Sequence, residues 1–137
     1  VWITVQSRTG LTMAVDYPEK VGVDRIVDAF PPGQQQQIRT QLSQALEGVV
    51  SQQLLPAVDG TMTPAFEVMV VTPAVRNMIR ESKAFQLESV ISTSSALGMT
   101  TMDQSILALL KAGRITQETA LRHASNPDWM EKRFSTL

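Results

Sequence analysis

Arg76 and Arg80 lie one helical turn apart in the stretch 72–81, TPAVRNMIRE, with Asn77 and Glu81 interleaved at the same spacing. On a helix, that spacing presents two guanidinium groups to one acidic surface, with an amide and a carboxylate beside them. The chemistry available to such a group is recognition rather than bond-making. Glu67 stands in the apolar run 65–71, where an unpaired carboxylate would be costly, so it is expected to reach the sheet edge or to pair with an arginine. His123 is the only histidine; it follows Arg122 with no carboxylate run nearby, and reads as a surface residue rather than part of a Ser-His-Asp or metal constellation. There is no cysteine, which excludes a disulfide framework and a thiolate metal site. No catalytic, cofactor-binding or metal-binding set is expected.

The elements that position these residues follow from periodicity. Thr72 before Pro73 marks a helix start, since a threonine hydroxyl can accept from a free amide and proline suits the first helical position. Over 73–81 the pattern places Ala74, Val75, Met78 and Ile79 inward and Arg76, Asn77, Arg80 and Glu81 on the exposed face. Upstream, Val1, Ile3 and Val5 alternate with Trp2 and Thr4 as a half-buried strand does, whereas 11–22 has no clear period. Val23, Ile26, Val27 and Phe30 predict a short helix that stops at Pro31-Pro32-Gly33. Ile38, Leu42, Ala45, Leu46 and Val49 predict the longest helix, after which 49–55 turns strand-like until Pro56. Asp59-Gly60 is a turn signal, and a hairpin joining 51–55 to 65–71 follows.

Beyond Pro73 everything reads helical. A helix over 84–92 turns Ala84, Leu87, Val90 and Ile91 inward. The next is capped by Thr100 with Asp103 three residues on, buries Met102, Ile106, Leu109 and Leu110, and stops at Gly113. The last is capped by Thr116, runs through Ala120, Leu121 and Ala124, and is ended by Asn126-Pro127. Residues 128–137 read as a tail with Trp129 and Phe134 as docking points, and the seven methionines read as core filler.

A chain of 137 residues suffices for one domain with a core, and 43% hydrophobic against 18% charged residues marks globular material. A net charge of -1 gives no global basic footprint for nucleic acid or anionic lipid. No apolar run approaches the roughly 20 residues that span a bilayer, and the start VWITVQSRTG lacks the order of a signal peptide, so a soluble chain is expected. The start at Val1 rather than Met suggests a processed or trimmed chain, or part of a longer protein.

The wording of 72–81 resembles the AIRNLIRE signature of the type IV pilus retraction ATPases, the PilT-type twitching-motility motors of the secretion ATPase superfamily, with Val75 and Met78 as departures. GMTTMDQSI over 98–106 is similar to the family's GMQTLDQSL, and VDRIVDAFPPG over 23–33 to its IDRIIDVFPP element. The three come in the family's order, and the resemblance covers about 23–127. It implies an α/β, mainly helical fold: residues 1–71 as the distal part of a RecA-like P-loop ATPase core with an incomplete sheet, 72–127 as a helical C-terminal subdomain, and 128–137 as the tail. It further implies a motor region that couples nucleotide-dependent motion to the pilus machinery through Arg76, Asn77, Arg80 and Glu81. The expected partners are copies of itself, in a hexameric ring for the family and a dimer or swapped oligomer for this chain, and a pilus inner-membrane platform protein. The expected location is the cytoplasmic face of a bacterial inner membrane, reached only through partners.

The resemblance has limits that bear on catalysis. The phosphate-wrapping loop G-x-x-x-x-G-K-[ST] needs a Gly-Lys pair, and the chain has none. No acid-tipped apolar strand stands in for a Walker B. ATP and Mg²⁺ therefore belong to the complete family member, and this chain alone is expected to be inactive. Gln6 in TVQS occupies the place of the family's nucleotide-sensing histidine, and AFEVM keeps Glu67 but has Phe66 where the family has histidine. Gln6 and Glu67 are thus the interface or nucleotide-sensing candidates. Two readings compete with the motor region. One is a stand-alone interaction or regulatory module derived from a secretion ATPase. The other is a nucleic-acid-binding helical domain built on 101–124, against which Gln117-Glu118 places acid where phosphate would approach.

Overall fold

The computed structural model describes residues 2–7, 12–16 and 23–136. It is mostly helical, around an open antiparallel sheet of β1 (Trp2–Ser7), β2 (Thr12–Asp16), β3 (Leu46–Pro56) and β4 (Met62–Val70), in the order β2-β1-β3-β4. The helices are α1 (Val23–Asp28), α2 (Gln35–Ala45), α3 (Pro73–Arg80), α4 (Leu87–Thr93), α5 (Met102–Lys111), α6 (Gln117–His123) and α7 (Pro127–Phe134). Val1, Leu11 and 17–22 lie outside the described residues, and β2 occupies part of the stretch in which no period is legible.

The expected hairpin is present but longer than the pattern suggests. β3 and β4 pair from Gly48↔Val70 to Pro56↔Met62, and the Asp59 carboxylate accepts from the Thr61 amide and hydroxyl at 3.0 and 2.6 Å across the turn. The helix α2 ends at Ala45, so Leu46 and Val49 belong to a strand and not to the helical stripe assigned to them. The backbone turns extended at Leu46, where Gly48, Val49 and Val50 follow, residues that favour strand or weaken helix.

Side chains alternate on the hairpin, so Val49, Leu55, Ala65 and Met69 face the helices. They seed two cores. In the first, Val23, Leu46 and Met69 pack with Val75 and Ile79 of α3 and Leu87 and Ile91 of α4. In the second, Leu55 and Ala65 pack with Met102, Ile106, Ile115, Ala120 and Met130. Both draw on residues from either side of position 71, which marks a change of element type rather than a gap between cores.

Four further expectations are corrected. Phe30 and Ala74 are exposed instead of inward. Residues 84–92 begin as a 3-10 turn, Ala84–Gln86, before α4. Thr101 and Gln104, not Thr100 and Asp103, form the capping box of α5, with both reciprocal bonds present at 3.0 and 3.1 Å. Finally, the expected tail is largely the helix α7, whose Met130 is fully buried. Burial of that side chain contributes roughly 2 kcal/mol.

Candidate functional site

The helix α3 starts as its sequence dictates: Thr72 Oγ1 accepts from the Val75 amide at 3.3 Å, and Pro73 opens the first turn. It ends by a route the sequence conceals. Lys83 N donates to Met78 O at 2.8 Å and Ser82 N to Ile79 O at 3.3 Å, the paired bonds of a Schellman motif, with Ser82 at φ 60 in the left-handed position usually taken by glycine.

The four polar residues of this helix do not form one exposed face. Arg76 is the correction: its side chain is only 24% exposed and its guanidinium is occupied. Nη1 donates to the carbonyls of Ser43 at 2.7 Å, Leu46 at 3.0 Å and Gln44 at 3.3 Å, and Nη2 meets Glu47 Oε1 at 3.1 Å. Those carbonyls lie at the end of α2 and the start of β3, where a helix leaves acceptors without intrahelical partners. Arg76 therefore fastens α3 to the α2–β3 junction.

Arg80, Asn77 and Glu81 remain at the surface. Arg80 Nη2 donates to Asn77 Oδ1, and Gln36 Nε2 holds the Arg80 carbonyl from α2 at 3.1 Å. Glu81 pairs with Lys83 at 2.9 Å, and the Lys83 hydrogen bond, then its charge, holds the Glu81 carboxyl below its ordinary value. One guanidinium, one amide and one ion pair thus face solvent at this end of the helix. They suit recognition and offer no nucleophile.

Glu67 neither reaches an open edge nor serves as a bare charge. Its Oε2 accepts from the Met102 amide at 3.2 Å, at the first turn of α5, where the helix dipole favours a carboxylate. Val68 and Thr100 form an isolated bridge next to it. Gln6 sits in β1 opposite Thr12 and Gly48, and its side chain lies outside the described part of the chain.

Asp103 was legible only as a cap. It is 4% exposed, and its carboxylate accepts from Ser125 N at 2.7 Å, Ser125 Oγ at 2.9 Å and Asn126 N at 2.9 Å, which ties α5 to the start of α7. His123 is half-buried, and its Nδ1 pairs with Gln53 Nε2 at 2.8 Å. Burial, then the charge of Arg122, holds its imidazole below the ordinary value. Arg122 itself is paired with Glu118 at 2.8 Å, so the helix pair of 101–124 presents no free basic row from α6.

No group of three or more metal-ligating side chains occurs among the described residues, and no described helix is long and apolar enough to cross a membrane. The described glycines with positive φ are Gly60, Gly98 and Gly113, which lie in the β3–β4 turn, ahead of α5 and after it, and none forms a glycine-rich strand-to-helix loop.

No protein-family model matches the chain. A twitching motility protein of Neisseria gonorrhoeae is 47% identical over 109 residues, 79% of this chain and 29% of that protein. The type IV pilus retraction ATPase PilT of Pseudomonas aeruginosa is 41% identical over 106 residues, 77% of this chain and 31% of that protein. The chain is a homologue of PilT. A crystal structure of the pilus retraction motor PilT with bound ADP superposes with a TM-score of 0.66 at 40% identity, over 80% of this chain and 30% of that one. The ATPase DotB of Legionella pneumophila, at a TM-score of 0.58 and 18% identity, shares the fold. This PilT homologue spans about three-tenths of the length of the curated relatives it matches.

Proposed function

We propose that this chain is the C-terminal, coupling region of a PilT-like retraction motor. In this reading residues 1–71 form the distal part of a RecA-like core, and the helical subdomain that begins at residue 72 continues through α7. Homology to twitching-motility ATPases over about four-fifths of the chain carries the reading. The surface group Asn77, Arg80 and Glu81 engages a neighbouring subunit or the pilus platform, and Arg76 holds the helix that displays it. Copies of the complete motor assemble as a ring at the cytoplasmic face of the inner membrane. The chain by itself neither binds nor hydrolyses ATP, because the phosphate-wrapping loop is absent from its sequence.

A chimera tests this. The matched third of the Pseudomonas aeruginosa PilT is replaced by the corresponding residues of this chain, and twitching is scored with ATPase activity. The chimera should twitch, and Arg80→Ala with Asn77→Ala should abolish twitching while ATP hydrolysis persists. A chimera that hydrolyses ATP without twitching, or a double variant that twitches normally, refutes the coupling role. Calorimetric titration of the unfused chain should show no Mg²⁺-dependent ATP binding.

A further inference from the structure

A cavity of about 130 Å³ lies where α4, the start of α5 and the start of α7 meet. Its volume is well under the roughly 300 Å³ at which small-molecule pockets begin, so it has room for a side-chain head group and not for a nucleotide. Its walls are polar: Glu88 and Ser89 come from α4, Asp103 and Gln104 from the first turn of α5, and Trp129 from the first turn of α7. Glu88 and Ser89 are exposed, so the cavity is reached from solvent on the α4 side. No lysine, arginine or histidine is among the described residues that line it.

Two helix starts would ordinarily favour an anion, yet their amides are engaged. Gln104 N donates to Thr101 Oγ1 at 3.1 Å, Met102 N to Glu67 Oε2 at 3.2 Å and Trp129 N to Asn126 Oδ1 at 2.9 Å. The buried Asp103 carboxylate adds a fixed negative charge that an entering anion would meet. Glu88 adds a second, and it has no ion pair among the described residues. The lining therefore selects positive charge. Trp129 decides which cation. The Arg133 guanidinium lies 3.7 Å from the centroid of its ring, and Arg133 is not among the described lining residues, so the ring stacks one guanidinium outside the cavity and turns other surface into it. A second planar guanidinium can lie on that surface and meet the Glu88 carboxylate with paired N–H groups, a geometry that an ammonium cannot match.

We propose that this cavity receives an arginine side chain presented by a partner protein, with Glu88 as its counter-ion and Trp129 as its stacking wall. The inference rests on the cavity alone and stands apart from the motor reading.

The probe is the tripeptide Gly-Arg-Gly, blocked at both ends, titrated into the 137-residue chain at low salt while the two indole N–H signals are followed by NMR, with Trp2→Phe to assign them. The Trp129 signal should shift saturably in the millimolar range. Blocked Gly-Lys-Gly should bind at least about threefold more weakly. Glu88→Gln, at an exposed position, should keep the melting temperature and weaken the arginine peptide by about threefold or more, and Glu88→Lys should abolish the response. Trp129→Leu, followed by the backbone amide signals of Glu88 and Ser89, keeps the test decisive if the Glu88 variants do not fold. No shift with the arginine peptide overturns the proposal, and so does binding that survives Glu88→Gln and Trp129→Leu unchanged. Equal binding of the lysine peptide would overturn the choice of guanidinium. A saturable shift with inorganic phosphate in place of the peptides would show that the helix starts outweigh the two carboxylates, which overturns the choice of a cation.

Discussion

Removing the Arg76 side chain should destabilise the fold, whereas removing that of Arg80 should not. Arg76→Ala deletes three bonds to the carbonyls of Ser43, Gln44 and Leu46 and one ion pair to Glu47. A charge-assisted bond contributes about 1.5–3 kcal/mol where water is excluded, yet Arg76 is 24% exposed, so water can reach part of what it leaves. Glu47 is 43% exposed, which puts the ion pair at the low end, about 0–1 kcal/mol. The net loss is then about 2–3 kcal/mol, with a fall in Tm of roughly 6–12 °C for a domain of this size. Arg80→Ala removes an exposed side chain bonded to Asn77 within its own helix and should shift stability by less than about 0.5 kcal/mol. Arg76→Lys should recover less than half, because an ammonium lacks the planar fork that reaches the carbonyls and Glu47 together. Thermal and urea unfolding followed by circular dichroism measure all three. Equal stability of Arg76→Ala and the unmodified chain, or equal losses at Arg76 and Arg80, would refute the division between a fastening arginine and a displayed one.

Asp103→Asn places an amide donor against the Ser125 and Asn126 amides and should cost about 2–4 kcal/mol in urea unfolding, more than the same change at exposed Asp128. Ser82→Gly relieves a left-handed backbone position and should raise stability by about 0.5–1 kcal/mol, whereas Ser82→Val should lower it. The folded state holds His123 below its ordinary 6.5, so the unfolded chain binds more protons between the two values. Its contribution is complete above pH 6.5 and is lost as the pH falls through the folded pKa; His123→Asn should flatten that part of the urea-midpoint profile, and an unchanged profile would show that the imidazole does not titrate on unfolding.

Legibility in the sequence tracked how local the signal was. The helix α3 could be read because Thr72-Pro73 caps it and its apolar residues recur at helical spacing. The hairpin could be read because Asp59-Gly60 marks its turn. The end of α2 could not, because Leu42, Leu46 and Val49 satisfy a helical spacing even though the last two belong to β3. α7 was concealed by a signal with two meanings. Asn126-Pro127 stops α6 and also starts the next helix, since Asn126 Oδ1 accepts from Trp129 N at 2.9 Å and proline suits the first position. The capping box at Thr101 and Gln104 is written as T-x-x-Q, one residue beyond the competing T-x-x-D of Thr100 and Asp103. Arg76 is a failure of another kind. A helical wheel separates faces but carries no information about a neighbouring helix end that needs a donor, and that need arises from α2, some 30 residues away.

Two of the stretches that resemble the motor family, 72–81 and 98–106, meet at β4, and the bonds around them bear on how the region would carry a load. α3 leaves β4 through Val71 and Thr72, and Arg76 fixes it to α2, which Arg39 in turn ties to Asp24 of α1 at 2.7 Å. On the other side Glu67 caps α5, and Thr100 is bridged to Val68. The hairpin contributes to both cores, so neither helix group can leave it without exposing apolar surface. A force on Arg80 would then move a body rather than bend a hinge. Hydrogen exchange tests this. The amides of Val68, Thr100 and Met102 should be protected to a common level, as a cooperative unit would be. Glu67→Gln should raise exchange at Met102 and Thr100 together while leaving the Arg76 amide, bonded to Thr72 within α3, unchanged. If Met102 and Thr100 exchanged independently of each other in the unmodified chain, β4 and α5 would be separate bodies, and motion at the signature helix would have no rigid route to the second core.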